Sequence, residues 1–253
     1  MRQWANAAAI GALAILGLSI QATAAELIVL AGQGNVPGAR ELGAAFALRS
    51  GHKVTVLEET GAALQKRISE GPADLIALGP EAMSQRAKKG DVVANSVTPY
   101  MLAGLGISVR TGAPKPDIST VEAYHATLLA AKSIGYSRGC SGEHVAEGIE
   151  QLGLTETLKA KTVRTGGGTG PVTFFLAKGD FELGIQQTNI MVGAPGTDYV
   201  GPVPGNLNKP CPNSVGMLRV SKEPNAARAM LAFMVSPDAT VLLRKVHEEP
   251  APQ

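Results

Sequence analysis

Aromatic residues are scarce: Phe, Trp and Tyr together make up 4% of the 253 residues, which argues against the stacking platforms that hold bases or sugar rings. Cysteine is rarer still, with only Cys140 and Cys211, and these lack the C-x-x-C spacing of a zinc or redox motif. The four histidines, His52, His125, His144 and His247, are likewise too widely spaced for a zinc site. No metal and no cofactor is expected. A phosphate-loop lysine motif is absent, no nucleophile elbow of a serine hydrolase is expected, and the glycine-rich turn at residues 166–170 does not match a dinucleotide fingerprint. Charge of one sign is missing too. With 23 Lys+Arg against 21 Asp+Glu, no global field steers nucleic acid or a membrane surface, so a ligand's charge must be met locally.

What is present begins with Arg2, a short apolar run over residues 5–20, and Ala22, Thr23 and Ala24. A basic start, a short apolar stretch and a small-residue end form a secretory signal peptide, with cleavage expected after Ala24. No later stretch approaches the roughly 20 apolar residues of a membrane span. Without Arg2 the balance is 22 basic against 21 acidic residues. Export puts Cys140 and Cys211 where disulfides persist. They are expected either to pair, stabilising the fold by about 4 kcal/mol through loop closure, or to stay as two half-buried thiols.

Residues 27–31 read as a buried strand entering a turn at Gly32 to Asn35, and a helix follows from Pro37 to the stop at Ser50 and Gly51. The rhythm repeats: a strand at 53–57, a helix capped by Thr60, a strand at 74–78, and a helix over 80–89 ended by Gly90. Such alternation specifies an α/β sheet covered on both faces. At residues 97–109 the chain crosses out of this series in a long apolar, glycine-punctuated segment. A second α/β series opens with Ser119 and Glu122 as a capping box, places a strand at 133–136, a helix at 141–152, a strand at 162–165, a helix at 171–178 and a strand at 181–187. A second crossing at 199–203 leads to a strand at 214–220 and two terminal helices, with a frayed tail at 248–253. The expected organisation is a signal peptide at 1–24, the first part of lobe 1 at 25–103, lobe 2 at 104–200, and a return to lobe 1 at 201–253.

Ligands of open α/β sheets bind beyond the carboxyl ends of strands, where loops lead into helix N-termini. Here these loops are residues 32–36, 58–61, 136–142 and 166–172. Each combines glycine, which lets the backbone approach a ligand, with hydroxyl or amide side chains, and the N-H groups of helix starts favour an anion. Arg138 lies inside one of them, and Arg40 and Arg164 lie close by; a guanidinium fork matches a carboxylate, although a solvated helix face is the ordinary setting for an arginine. His144, in a first helical turn, could act as a base or simply cap or pack. Glu58 and Glu59, ahead of Thr60, are general-base candidates or ordinary partners of a helix dipole.

Residues 60–68, 71–74, 112–119, 136–152 and 181–187 together resemble the molybdate-binding-protein-like branch of extracellular solute-binding proteins, over nearly all of the exported chain. The resemblance implies a two-lobed type II periplasmic binding protein fold with a central cleft and two crossing hinge strands. It also implies a monomer in the periplasm that delivers a small oxyanion or carboxylate to an ABC transporter permease. Ligand contacts carry over to Gln33 and Gly34, Thr60, Cys140 and Ser141, Pro171 and Val172, and Gln187. Gln33 stands where the family usually offers serine, and Gln187 where molybdate binders tend to have tyrosine, which points away from molybdate itself. A periplasmic aconitate isomerase is similar to the same branch and shares the style of turn at residues 113–119. That similarity implies the alternative of a tricarboxylate isomerase using His144 and Arg138. A binding protein that contacts a receptor kinase would use the same cleft.

Overall fold

The apolar run after the expected cleavage point forms β1 (Glu26–Ala31), and the strand's two-residue period sorts its side chains between two layers. Leu27, Val29 and Ala31 face α1 (Val36–Ser50). Leu30 faces the opposite side, where Leu64 and Ile68 of a later helix wait. This is a computed structural model, and it describes residues 24–166 and 170–252. The expected signal peptide lies outside the described residues up to residue 23, as do residues 167–169 of the glycine-rich turn and Gln253. Parallel to β1 come β2 (Lys53–Glu58), followed by α2 (Gly61–Glu70), and β3 (Leu75–Leu78), followed by α3 (Pro80–Lys89). Gly90 ends α3 at φ 77°, and Arg86, Lys88 and Lys89 occupy the last turn, where cations favour the exposed carbonyls.

The chain leaves this sheet through β4 (Thr98–Ala103), turns at Gly104, and enters the second sheet as β5 (Leu105–Arg110). The second series follows as α4 (Val121–Ala130), β6 (Ile134–Ser137), α5 (Cys140–Gln151), α6 (Thr155–Lys159), β7 (Thr162–Thr165), α7 (Val172–Lys178), β8 (Leu183–Gln187), α8 (Thr188–Met191) and β9 (Thr197–Pro202). Ser119 does not cap α4. Its N-H donates to Asp117 Oδ1 at 2.9 Å, a tight local turn that leaves Thr120 in the extended cap position. Thr120 Oγ1 then accepts from Ala123 N at 3.1 Å. The short helices α6 and α8 carry too few turns to leave a periodic signature.

Residues 203–210 return the chain to the first sheet as β10 (Cys211–Met217), and α9 (Pro224–Met234) and α10 (Pro237–Lys245) follow. Through Ala251 the tail is not frayed. β11 (Glu249–Pro250) pairs antiparallel with β4, Glu248 is 1% exposed, and Ala251 N donates to Tyr100 O at 3.1 Å. The strand orders are β11-β4-β10-β3-β1-β2 and β7-β6-β8-β5-β9. Each sheet has its own core. α1, α9 and α10 cover one face of the first and α2 with α3 the other; α4, α5 and α6 cover one face of the second and α7 the other.

Separate cores let two lobes move as units about the segments joining them. Those segments lie side by side: Leu105 N donates to Asn208 Oδ1 at 2.6 Å and Val203 N to Leu105 O at 3.0 Å. No single helix among the described residues is long and apolar enough to cross a membrane; α9 and α10, apolar as a pair, are bent by 72° and bury Met230, Met234 and Leu243 in the first core.

Candidate functional site

The loop after β1 reaches the second lobe through glutamine and asparagine side chains. Gln33 Oε1 accepts from Gln186 Nε2 at 2.9 Å, and the other atom of that amide, Gln186 Oε1, accepts from Val172 N, also at 2.9 Å. Gln186 therefore ties the first lobe's loop to the start of α7, and it occupies the Val172 N-H. Pro171, next in line, has no N-H to give. Gly34 lies against Gln187, so closely that a Cβ at residue 34 would overlap the Gln187 amide. Gly34 O accepts from Asn189 Nδ2 at 2.9 Å. Thus Gln33, Gly34, Val172 and Gln187 are brought together, and Gln186 and Asn189, which the sequence reading did not select, do the joining. Gln186 and Gln187 are buried amides ending an otherwise apolar strand, and that was the available signal.

Asn35, at the foot of the same loop, anchors it from below. Its Oδ1 accepts from Tyr100 Oη at 2.9 Å and its Nδ2 donates to Asn213 Oδ1 at 2.9 Å. Burial pushes the Tyr100 hydroxyl well above the usual tyrosine range, with the nearby Glu248 charge acting in the same direction, so this hydroxyl stays a donor.

A second group gathers at the start of α5. Ser141 is buried, and its Oγ lies 2.8 Å from Ser137 Oγ. Gly142 approaches the end of β6 so closely that a Cβ would overlap the Ser137 carbonyl. As at any helix start, the N-H groups of Cys140, Ser141 and Gly142 have no intrahelical acceptor. Arg138 is exposed and forms no hydrogen bond or ion pair among the described residues, whereas Arg164 is engaged by Glu143 at 2.6 Å and by the Tyr136 ring at 5.3 Å. Residues 135–139 read G-x-S-x-G across this strand-to-helix turn, the pattern of a nucleophile elbow, which corrects the expectation that no such elbow occurs; the hydroxyl partner of Ser137 is a serine and not an imidazole. Thr60 stands exposed at the start of α2 with no capping bond from its hydroxyl, and Glu58 Oε1 lies 3.4 Å from Gln33 Nε2. Glu59 is paired with Arg67 at 3.6 Å.

Cys140 and Cys211 form a disulfide with a Cα separation of 5.9 Å, joining the start of α5 to the start of β10, one in each lobe. His144 Nδ1 lies 2.9 Å from Lys209 O. A carbonyl only accepts, so Nδ1 carries the hydrogen and Nε2 alone is left to take a proton. Sulfur and imidazole atoms of Cys140, His144 and Cys211 lie within 4.8 Å of one another, but oxidised sulfurs are not thiolate ligands. Two open grooves, one along Lys115, Ser119 and Gly205 and one along Tyr100, Met234 and Pro250, contain none of the expected ligand residues.

A model of bacterial extracellular solute-binding proteins matches residues 27–246. The chain is 30% identical over 255 aligned positions to an aconitate isomerase of a Pseudomonas species, covering 96% of each chain. It is 27% identical over 237 positions to a molybdate-binding protein of Rhodobacter capsulatus, covering 91% of each. Among solved structures, the periplasmic molybdate-binding protein of Azotobacter vinelandii superposes with a TM-score of 0.71 at 19% identity, over 90% of this chain and 100% of that one.

Proposed function

Because the chain belongs to the bacterial extracellular solute-binding proteins, we propose that it captures a small carboxylate or oxyanion between its lobes in the periplasm and hands it to an ABC transporter permease. The observation that carries this reading is Arg138, exposed and without an ion pair among the described residues, beside the α5 start with its free N-H groups. A guanidinium fork and helix-start amides both favour a carboxylate or oxyanion. Thr60, Ser141, Gln187 and the Gln33–Gly34 backbone would complete the hydrogen bonding. A carboxylate suits the site better than molybdate, since Gln33 and Gln187 supply amides and Arg138 a fork. The lobe limits proposed from the sequence, 25–103, 104–200 and 201–253, would assign Gln33, Gly34 and Thr60 to one lobe and Arg138, Ser141 and Gln187 to the other.

A second reading is favoured by one observation, the 30% identity to an aconitate isomerase over 96% of both chains. On that reading Arg138 clamps a tricarboxylate and a base moves a proton between its carbons. His144 would have to act through Nε2, its Nδ1 being held by Lys209 O.

A thermal-shift series with molybdate, sulfate, citrate, cis-aconitate and trans-aconitate tests the capture reading. A bound anion at 100 times its dissociation constant should add about 2.7 kcal/mol of stability. An unshifted transition with all five would rule out this class of ligand. Incubation with cis-aconitate, followed by proton NMR, separates the readings: an unchanged spectrum is expected for a binding protein, and accumulation of trans-aconitate would make it an isomerase.

A further inference from the structure

Glu248 is a carboxyl group sealed inside the protein at the meeting of the two lobes. Its side chain reaches the first turn of α1, where Gly38 N donates to Oε1 at 3.0 Å. The second donor comes from the other lobe: Asn189 Nδ2, at 2.7 Å from the same Oε1. That Nδ2 also donates to Gly34 O at 2.9 Å, so the Glu248–Asn189 pair holds the Gln33–Gly34 loop to the second lobe. Glu248 is 1% exposed and Asn189 7%, and Gly38 makes room, since a Cβ there would overlap Glu248 Oε2. Glu248 Oε2 and Asn189 Oδ1 are both buried with no hydrogen-bond partner among the described residues.

Among the described residues, the surroundings hold no cation to balance an ionised carboxylate. On β4 the titratable neighbour is Tyr100. Beside Glu248, Arg244 is turned outward to Glu249 at 2.9 Å, and Lys245 pairs with Glu41 of α1 at 3.4 Å. His247 is exposed, and Arg40, also on α1, is exposed. The α8 segment and the loop at residues 33–35 contain no ionisable side chain. A buried charge without a partner is strongly disfavoured, so the closed arrangement suits the neutral acid.

We propose that Glu248, acting through Asn189, is a proton-dependent latch between the lobes: protonated, it holds the Gln33–Gly34 loop against the second lobe, and on losing its proton it favours their separation. The inference rests on two-lobed closure but on no particular ligand. Its direction follows from linkage. Burial raises the Glu248 carboxyl to about 8 in the closed protein, against the lowering effect of the bonds from Asn189 and Gly38. Separation of the lobes exposes it to water and returns it toward the ordinary carboxylate value of 4.5. A group raised in the closed state adds stability to that state that is complete below the ordinary value and is lost as pH rises through about 8.

Small-angle scattering of the ligand-free protein at pH 5.5 and pH 9, with thermal melts to show that each sample is folded, tests the latch. Wild type should be compact at pH 5.5 and shift to a larger radius of gyration at pH 9. Glu248→Gln keeps an acceptor for both donors without an ionisable proton, and its radius should be the same at both pH values. Glu248→Ala likewise carries no ionisable proton and should also lose the pH response, so the proposal stays testable if the glutamine variant does not fold. A wild-type radius that does not change with pH, or a pH shift retained in either variant, overturns it. No ligand enters the experiment, so a failure to find a bound anion would leave this result standing, and the converse.

Discussion

Replacing Cys140 and Cys211 together by serine, or reducing the bridge, is expected to lower stability by about 4 kcal/mol, because the disulfide closes a loop of sequence separation 71. For a protein of this size roughly 2–4 °C of melting temperature goes with each kcal/mol, so the transition should fall by about 8–16 °C. The bridge also ties the lobes together beside the second crossing segment, where His144 holds Lys209 O at 2.9 Å, and its loss should loosen the start of α5 as well as the unfolded chain's restraint. Thermal unfolding with and without a phosphine reductant measures the effect. A melting temperature that stays within a degree of the oxidised protein's would mean that the non-covalent contacts already fix this junction.

Gly142→Ala should be the most damaging single change at the candidate site. The added methyl would overlap the Ser137 carbonyl, and a backbone oxygen at a strand end cannot swing aside as a side chain can. The start of α5 must then move away from β6, at a cost of about 1–3 kcal/mol for overpacking, and the amides and Arg138 that depend on its position move with it. If that displacement removes one charge-assisted contact, affinity for an anion falls about tenfold to a hundredfold. Gly34→Ala makes the useful comparison. The atoms nearest its methyl would be the end of the flexible Gln187 side chain, so stability should change little while affinity still falls. Urea unfolding and isothermal titration of both variants would decide it; equal losses of stability would remove the distinction between backbone and side-chain crowding.

Much of the scaffold was readable because strong local signals agreed with the tertiary outcome. The apolar run of β1 is buried on both faces, and Pro80 with Gly90 bracket α3. The crossing at Gly104 shows as a break in the α/β rhythm. What escaped the reading depends on contacts distant in sequence. Glu248 looks like part of a polar, proline-bearing end, yet it is buried by a hydrogen bond from Gly38, 210 residues away. Ser119 reads as the cap of α4, but Asp117 claims Ser119 N and the cap is Thr120, one residue on. Gln186 and Gln187 differ by one position on a strand, which sends them to opposite faces. Gln187 lies on Gly34, while Gln186 bridges Gln33 and Val172 across the lobes. Asn189 gave no local sign of its role, since its partners belong to the loop after β1 and to the C-terminal segment.

The most direct test of anion capture between the lobes is a calorimetric titration of trans-aconitate and of molybdate into wild type and into the triple variant Thr60→Ala, Arg138→Ala, Ser141→Ala. One of the two anions should bind wild type at one site per chain, the carboxylate more tightly, and lose at least about a hundredfold in affinity in the triple variant, since each charged hydrogen bond removed is worth about 1.5–3 kcal/mol. Wild-type affinity in the folded triple variant would place the ligand elsewhere on the protein and contradict the account.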